Sequence, residues 1–192
     1  LASSNNNTLS GNIINNDRHG VSLYDSSLNK IVANNITNND SGINLYGSSN
    51  NTLSGNHLTN NFFHGVSLVF SDDNTINNNH MRNNGYCISL SNSTNNFIFH
   101  NDFIYTEMWQ HNVSLFGTGY VNIWDVGYPN GGNYWNDYTG IDSFSGPYQN
   151  LTGSDGIGDA TYVINADNQD RYPLIKPCVV QDMAPPTTTH DY

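Results

Sequence analysis

The sequence predicts an all-β fold: a right-handed parallel β-helix with coils of about 22 residues, closed at its C-terminal end by an irregular aromatic cap. Three observations carry this. Asn fills 35 of 192 positions. One eight-residue pattern recurs at a near-constant step. Within each unit apolar and polar residues alternate with a period of two, the period of a strand.

The repeat opens at Asn7-Thr8-Leu9-Ser10-Gly11-Asn12-Ile13-Ile14 and returns from Asn29, Asn51, Asn74 and Asn96, at steps of 22, 22, 23 and 22 residues. Each unit closes on a short apolar run, from Gly20-Val21-Ser22-Leu23 in the first to Asn112-Val113-Ser114-Leu115 in the fifth. Stacking the units gives four apolar columns: Leu9, Ile31, Leu53, Ile76, Ile98; Ile14, Ile36, Leu58, Met81, Phe103; Val21, Ile43, Val66, Ile88, Val113; and Leu23, Leu45, Leu68, Leu90, Leu115. In the first unit the inward set is read as Asn7, Leu9, Asn12, Ile14, Asn16, Val21 and Leu23. Three short strands per unit cannot bury a face alone, whereas coils stacked about 4.8 Å apart can. No helical stretch fits between the strands, which makes a leucine-rich repeat the poorer alternative.

Two Asn columns explain the composition. Asn12, Asn34, Asn56, Asn79 and Asn101 form one, and Asn7, Asn29, Asn51, Asn74 and Asn96 the other. Asn tolerates left-handed backbone at corners, and its amide both donates and accepts. These columns are read as structural ladders hydrogen-bonded from coil to coil, as amides stack in cross-β assemblies.

The coils occupy residues 1–117. Coil five carries an insertion, Tyr105 to Gln110, and a last coil begins near Asn122. Residues 118–178 are read as that last coil plus an acidic, aromatic cap, because an open solenoid end leaves unpaired backbone that invites edge pairing. Residues 179–192, with Pro185-Pro186-Thr187-Thr188-Thr189, read as an extended linker to a further module. The N-terminal end shows no cap, so earlier coils or another molecule are expected there. Charge follows this division. Residues 1–100 hold five acids and three bases, a balance of −2, and residues 101–192 hold eleven acids and two bases, a balance of −9. Cys87 and Cys178 are far apart in the chain, and either a disulfide or two thiols is compatible with them.

Composition excludes several functions. A nucleic-acid binder needs clustered Lys and Arg, but the net charge is −11. There is no apolar run long enough for a membrane span and no signal peptide or lipidation motif. At 36% hydrophobic and 12% aromatic, the chain is too rich for disorder.

The candidate metal ligands are acidic. Asp155-Gly156-Ile157-Gly158-Asp159, with Asp137 and Asp142 nearby, offers carboxylates around flexible glycines, the oxygen-rich setting calcium uses. Calcium is therefore the expected cofactor. His57 and His80 share an outward position on adjacent coils beside Asp102. Two such imidazoles suit a transition metal, but Asn35 and Ile13 fill the same column, and a structural role is taken for them. No catalytic residues are assigned: Arg18, Lys30 and Arg82 share no face, and no Ser-His-Asp set or phosphate loop is present. Tyr24 and Tyr46 stack at one outward position and are the candidate sugar-binding residues, with Phe62, Phe63, Trp109 and Trp124 adding aromatic surface. The sequons Asn6, Asn35, Asn39, Asn50, Asn92, Asn112 and Asn150 are candidate glycosylation sites, with Asn35 and Asn39 expected to face outward.

The repeated Asn-x-[Ile/Leu]-x-x-Asn-x-[Ile/Leu] units resemble parallel β-helix proteins of the NosD-like, carbohydrate-binding type, a group associated with copper. Gly132-Asn133-Tyr134-Trp135-Asn136-Asp137-Tyr138, Asp155-Gly156-Ile157-Gly158-Asp159 and Tyr172-Pro173-Leu174 are similar to the C-terminal signature of secreted archaeal surface proteins with such helices. Ala184-Pro185-Pro186-Thr187 resembles the entry to an immunoglobulin-like module. This resemblance implies an extracellular, cell-surface location. The expected function is a non-enzymatic structural or adhesive module, self-associating head to tail into filaments or joined to neighbouring modules. Polysaccharide binding is the first alternative and a carbohydrate-active lyase or hydrolase the second.

Overall fold

The computed structural model describes residues 1–107 and 111–178. The insertion residue Trp109 and the linker 179–192 lie outside the described residues. Every coil begins with two three-residue strands and ends with a six-residue one. Coil one holds β1 (Thr8–Ser10), β2 (Ile13–Asn15) and β3 (His19–Tyr24). Coil two holds β4 (Lys30–Val32), β5 (Asn35–Thr37) and β6 (Ser41–Tyr46), and coil three β7 (Thr52–Ser54), β8 (His57–Thr59) and β9 (His64–Val69). Coil four holds β10 (Thr75–Asn77), β11 (His80–Arg82) and β12 (Tyr86–Ser91), and coil five β13 (Phe97–Phe99), β14 (Asp102–Ile104) and β15 (His111–Phe116). Corresponding strands pair in parallel, giving three sheets with orders β1-β4-β7-β10-β13, β2-β5-β8-β11-β14 and β3-β6-β9-β12-β15. The chain is thus a parallel β-solenoid, and among the described residues there is no helix.

The register reproduces the four apolar columns: Leu9 faces Ile31, Ile14 faces Ile36, Val21 faces Ile43 and Leu23 faces Leu45. From Ile31 to Phe103 the first two columns are fully buried. Two tryptophans carry them one layer further. Ile123 bridges Phe97, which sets Trp124 beneath Ile98, and β16 (Tyr134–Trp135) pairs with β14 to set Trp135 beneath Phe103. Both indoles are about 1% exposed. Trp124, counted above with the surface aromatics, is therefore core.

Corners explain why so much Asn is needed. Each coil turns at residues of positive φ: Asn6, Leu28, Asn50, Asp73 and Asn95 at one corner; Gly11, Ala33, Gly55, Asn78 and His100 at the next; Asn16, Asn38, Asn60 and Asn83 at the third; Ser3, Asp25, Gly47, Phe70 and Asn92 at the fourth. The left-handed region suits Gly and Asn and strains other side chains. The residue that follows each corner points inward and joins a ladder. Asn16 is therefore not inward. It is an exposed corner residue, and Asp17 takes the inward place. A left-handed residue shifts the alternation by one, and a strict period of two misses the shift.

That shift creates a third ladder, Asp17, Asn39, Asn61 and Asn84. Asn39 is 3% exposed, so this sequon, expected to face outward, is committed to the interior. Asn112 is buried as well, whereas Asn6, Asn50 and Asn150 are exposed. Ser26, Ser48, Ser71 and Ser93 make a fourth ladder through their hydroxyls.

All the ladders run one way. The backbone N–H and Nδ2 of Asn56 both donate to Asn79 Oδ1, at 2.9 Å each, and Nδ2 also donates back to Ile31 O at 2.8 Å. The last Asn of a column therefore still needs an oxygen, and for the two longest columns the cap supplies it. The ladder Asn96–Asn122 ends on Asn168 Oδ1, which also takes the Trp124 indole N–H. The ladder Asn101–Asn133 ends on Asp170 Oδ2, which also takes the Trp135 indole N–H at 2.9 Å. A Cβ on Gly132 would overlap the Asp170 carboxylate, so glycine is required there. Asp125, buried beside these groups, is held by Arg171 through two bonds from its guanidinium. Two short antiparallel pairs, β17 (Phe144–Ser145) with β18 (Leu151–Thr152) and β19 (Tyr162–Val163) with β20 (Gln169–Asp170), complete the cap. Both cysteines are free thiols, Cys87 buried and Cys178 half-buried.

Candidate functional site

The outer face of the sheet of six-residue strands is built from the longest strands among the described residues. Its middle row is Ser22, Asn44, Ser67, Ser89 and Ser114. Ser22 is exposed, Asn44 and Ser67 half-buried, and the last two buried, so the face is most open over the first three coils. One flank carries Tyr24 and Tyr46, paired in register, with Phe70 beside them. Register alternation puts these side chains outward because Leu23 and Leu45 point in.

The two tyrosine rings stack face to face, with centroids 4.9 Å apart and planes 5° apart. They stay about half exposed. Phe70 meets Tyr46 edge-on, at 5.9 Å and 80°. The pair expected from the sequence is thus present, but its facing ring surfaces cover each other.

The opposite flank is a second aromatic row that the sequence reading missed. His64, Tyr86 and His111 stack at 6.0 Å and 5.4 Å, next to Phe62 and Phe63, which are exposed and packed edge to face. Partial burial holds the His64 imidazole below its usual pKa. The signal lay in the residue before the closing Gly, His19 before Gly20 and His64 before Gly65.

This row leads to a cleft of about 190 Å³ lined by Tyr105, His111, Asn112, Asp137 and Tyr162. Asp137 accepts from Asn112 Nδ2 at 2.8 Å and from the Tyr162 hydroxyl at 3.1 Å. Burial raises the Tyr162 phenol above its ordinary pKa, with Asp137 adding to the effect, so it stays a proton donor. Asp137 therefore stands apart from the other three proposed calcium ligands.

Asp142, Asp155 and Asp159 do come together, as acceptors of backbone N–H groups. Asp142 takes Asp155 N and Gly156 N, Asp155 takes Gly146 N and Ile157 N, and Asp159 takes Ser143 N and Phe144 N. Only Asp155 with Ile157 N is an Asx turn; the other bonds reach across the loops, over 9 to 16 residues, to satisfy their backbone.

His57 and His80 lie on the outer face of the second sheet, stacked at 4.9 Å and 7°. His80 Nδ1 is 3.2 Å from Asp102 Oδ2, and the other oxygen of that buried carboxylate takes Cys178 N at 2.7 Å. Burial raises the thiol of Cys178 to about 12, so it is not a thiolate at neutral pH.

A model of the NosD family, described as periplasmic copper-binding protein (NosD), matches residues 1–140. The chain belongs to the NosD family. Among solved structures, a double mutant of the periplasmic alginate epimerase AlgG is similar at a TM-score of 0.51 and 22% identity, covering 58% of this chain and 28% of that one. AlgG without those mutations gives a TM-score of 0.46 and 18% identity over 62% of this chain and 41% of that one. This NosD-family chain therefore spans less than half the length of the epimerase, and the likeness is one of β-helix fold. No curated protein matches it.

Proposed function

We propose that the chain is an extracytoplasmic, adhesive β-solenoid module that holds a neutral polysaccharide on the outer face of its six-residue-strand sheet. One observation carries the reading: a row of Ser and Asn side chains runs along the coil axis, flanked by Tyr24, Tyr46 and Phe70 over coils one to three and by His64, Tyr86 and His111 on the other side over coils three to five. Ring hydroxyls of a glycan suit the polar row, and its apolar C–H faces suit the aromatics. Coil spacing, close to the length of one pyranose, lets successive sugars meet equivalent groups. A net charge of −11 disfavours anionic glycans. The periplasmic location in the descriptions of the family and of the epimerase supports a place outside the cytoplasm. No described helix is long and apolar enough to cross a membrane.

Binding rather than cleavage is the better reading of the cleft beside His111. Glycosidases set two carboxyl groups across the bond they break, whereas here Asp137 is flanked by Tyr162, Asn112 and His111. Copper, named in the family description, does not fit the His57–His80 pair as it stands. Parallel imidazoles direct their lone pairs side by side rather than to one point, and Asp102 occupies His80 Nδ1. No described group of three or more His, Cys, Asp or Glu side chains is placed to hold a metal ion.

The test is retention of the purified chain on insoluble cellulose, chitin and β-1,3-glucan, with calcium alginate gel as the anionic comparison. The expected result is retention on at least one neutral glycan and a loss of at least tenfold with the double variant Tyr24→Ala, Tyr46→Ala. Flow-through on every matrix, or retention on alginate alone, overturns the reading.

A further inference from the structure

We infer that Phe70 is the principal stacking platform of this glycan face, placed there at the expense of backbone strain. This rests on the reading above and names a binding residue within it. The argument starts at the fourth corner. The left-handed position is held by Asp25, Gly47 and Asn92 in coils two, three and five, and by Phe70 in coil four, at φ 50°. A bulky side chain in that region is disfavoured, and Asn or Gly does the same corner without strain. The chain gains no core in exchange, because the Phe70 side chain is 54% exposed.

A strained and exposed phenylalanine needs a reason outside folding. Its surroundings give one. Tyr24 and Tyr46 each have one face covered by the other, which leaves their edges and hydroxyls as the pair's main offer to a ligand beside Phe70. Phe70 stands 80° from the Tyr46 plane and meets it by an edge contact. It is the ring of the three that takes no part in the parallel stack. A pyranose laid on Phe70 would have the two tyrosine hydroxyls beside it as partners for its own hydroxyls. Other corner outliers lack this setting. Ala33 is small, Leu28 has no aromatic neighbour at its corner, and the His100 ring is tied to Asn130 O at 2.7 Å. The acids adjoining this corner, Asp25, Asp72 and Asp73, favour a neutral sugar over a uronate.

The experiment compares wild type, Phe70→Asn and Phe70→Trp by retention on the glycan that wild type binds best, with Tm measured for each. For Phe70→Asn the expected result is retention reduced at least tenfold with Tm unchanged or higher, since Asn suits the corner. Phe70→Trp, which keeps a ring, should retain wild-type binding or better. Full retention of Phe70→Asn overturns the inference. If Phe70→Asn loses both binding and Tm, Phe70→Trp decides: binding kept supports the platform, and binding lost at wild-type Tm overturns it. A wild type that binds no glycan overturns the functional reading itself, a result distinct from a binding wild type indifferent to residue 70.

Discussion

At the scale of single residues the fold depends on amide direction. Asn56 accepts from the N–H and Nδ2 of Asn34 and donates to Asn79 and Ile31. Asn56→Ala leaves the Asn34 N–H buried without an acceptor and should cost about 3 kcal/mol or more, read as a lower urea midpoint. Asn56→Asp keeps the acceptor but points a carboxylate at two oxygens, and should be worse than Ala despite its matching shape. The native chain places Asp where donation is not required, at the start of the third ladder (Asp17) and at the end of another (Asp170). Burial, with a smaller push from Asp125, raises the Asp170 carboxyl to about 7 against the pull of its N–H partners. A folded pKa above the unfolded value of about 3.9 means the native state binds more protons between those two values. Stability from this group is therefore full below about pH 4, falls as pH rises towards 7 and is flat above. Asp170→Asn should remove that slope. The stability difference between variant and wild type should move in the variant's favour from pH 5 to pH 8, by about 3 kcal/mol. It should sit on a constant offset from the lost Tyr172 N–H bond. A pH-independent difference would show that the carboxyl does not titrate in this window.

At the scale of elements, the strands were legible because their apolar columns repeat at a fixed step, and the three sheets follow from stacking them. The corners were less legible. Left-handed residues add one position to the alternation, so Asn16 and Asn39 exchange the roles that a simple period assigns them. The cap could be placed but not built from sequence, since Asn168 and Asp170 meet their ladders across 46 and 37 residues. The glycan face was half visible: Tyr24 and Tyr46 could be aligned by register, but the orientation of Phe70 could not. In the cap loops, every oxygen of Asp142 and Asp159 already accepts an N–H. We therefore expect a chelator to leave the Tm of the cap unchanged. A fall of several degrees on chelation, restored by calcium, would show that the ion shares these oxygens with the backbone.

On the scale of the whole molecule, each coil touches only its neighbours, so stability should be close to additive in coils. Deleting residues 29–50 joins Leu28 to Asn51, one corner residue to one ladder residue, and should leave a folded chain with the same far-ultraviolet spectrum and a moderately lower Tm. Deleting residues 30–50 instead is one residue short. It throws every following side chain onto the wrong face and should abolish cooperative unfolding. Backbone bonds between coils point both up and down the axis, as Tyr24 N to Leu1 O and Ser3 N to Tyr24 O illustrate, and their dipoles cancel. The side-chain ladders do not cancel. Each stacked amide aims its oxygen towards the N-terminal end and one of its two Nδ2 hydrogens towards the cap, so the amide columns add up to a macrodipole with its positive pole at the cap, the reverse of an α-helix. The lopsided charge of the chain, −2 in its first hundred residues and −9 in the rest, is the arrangement that such a pole attracts.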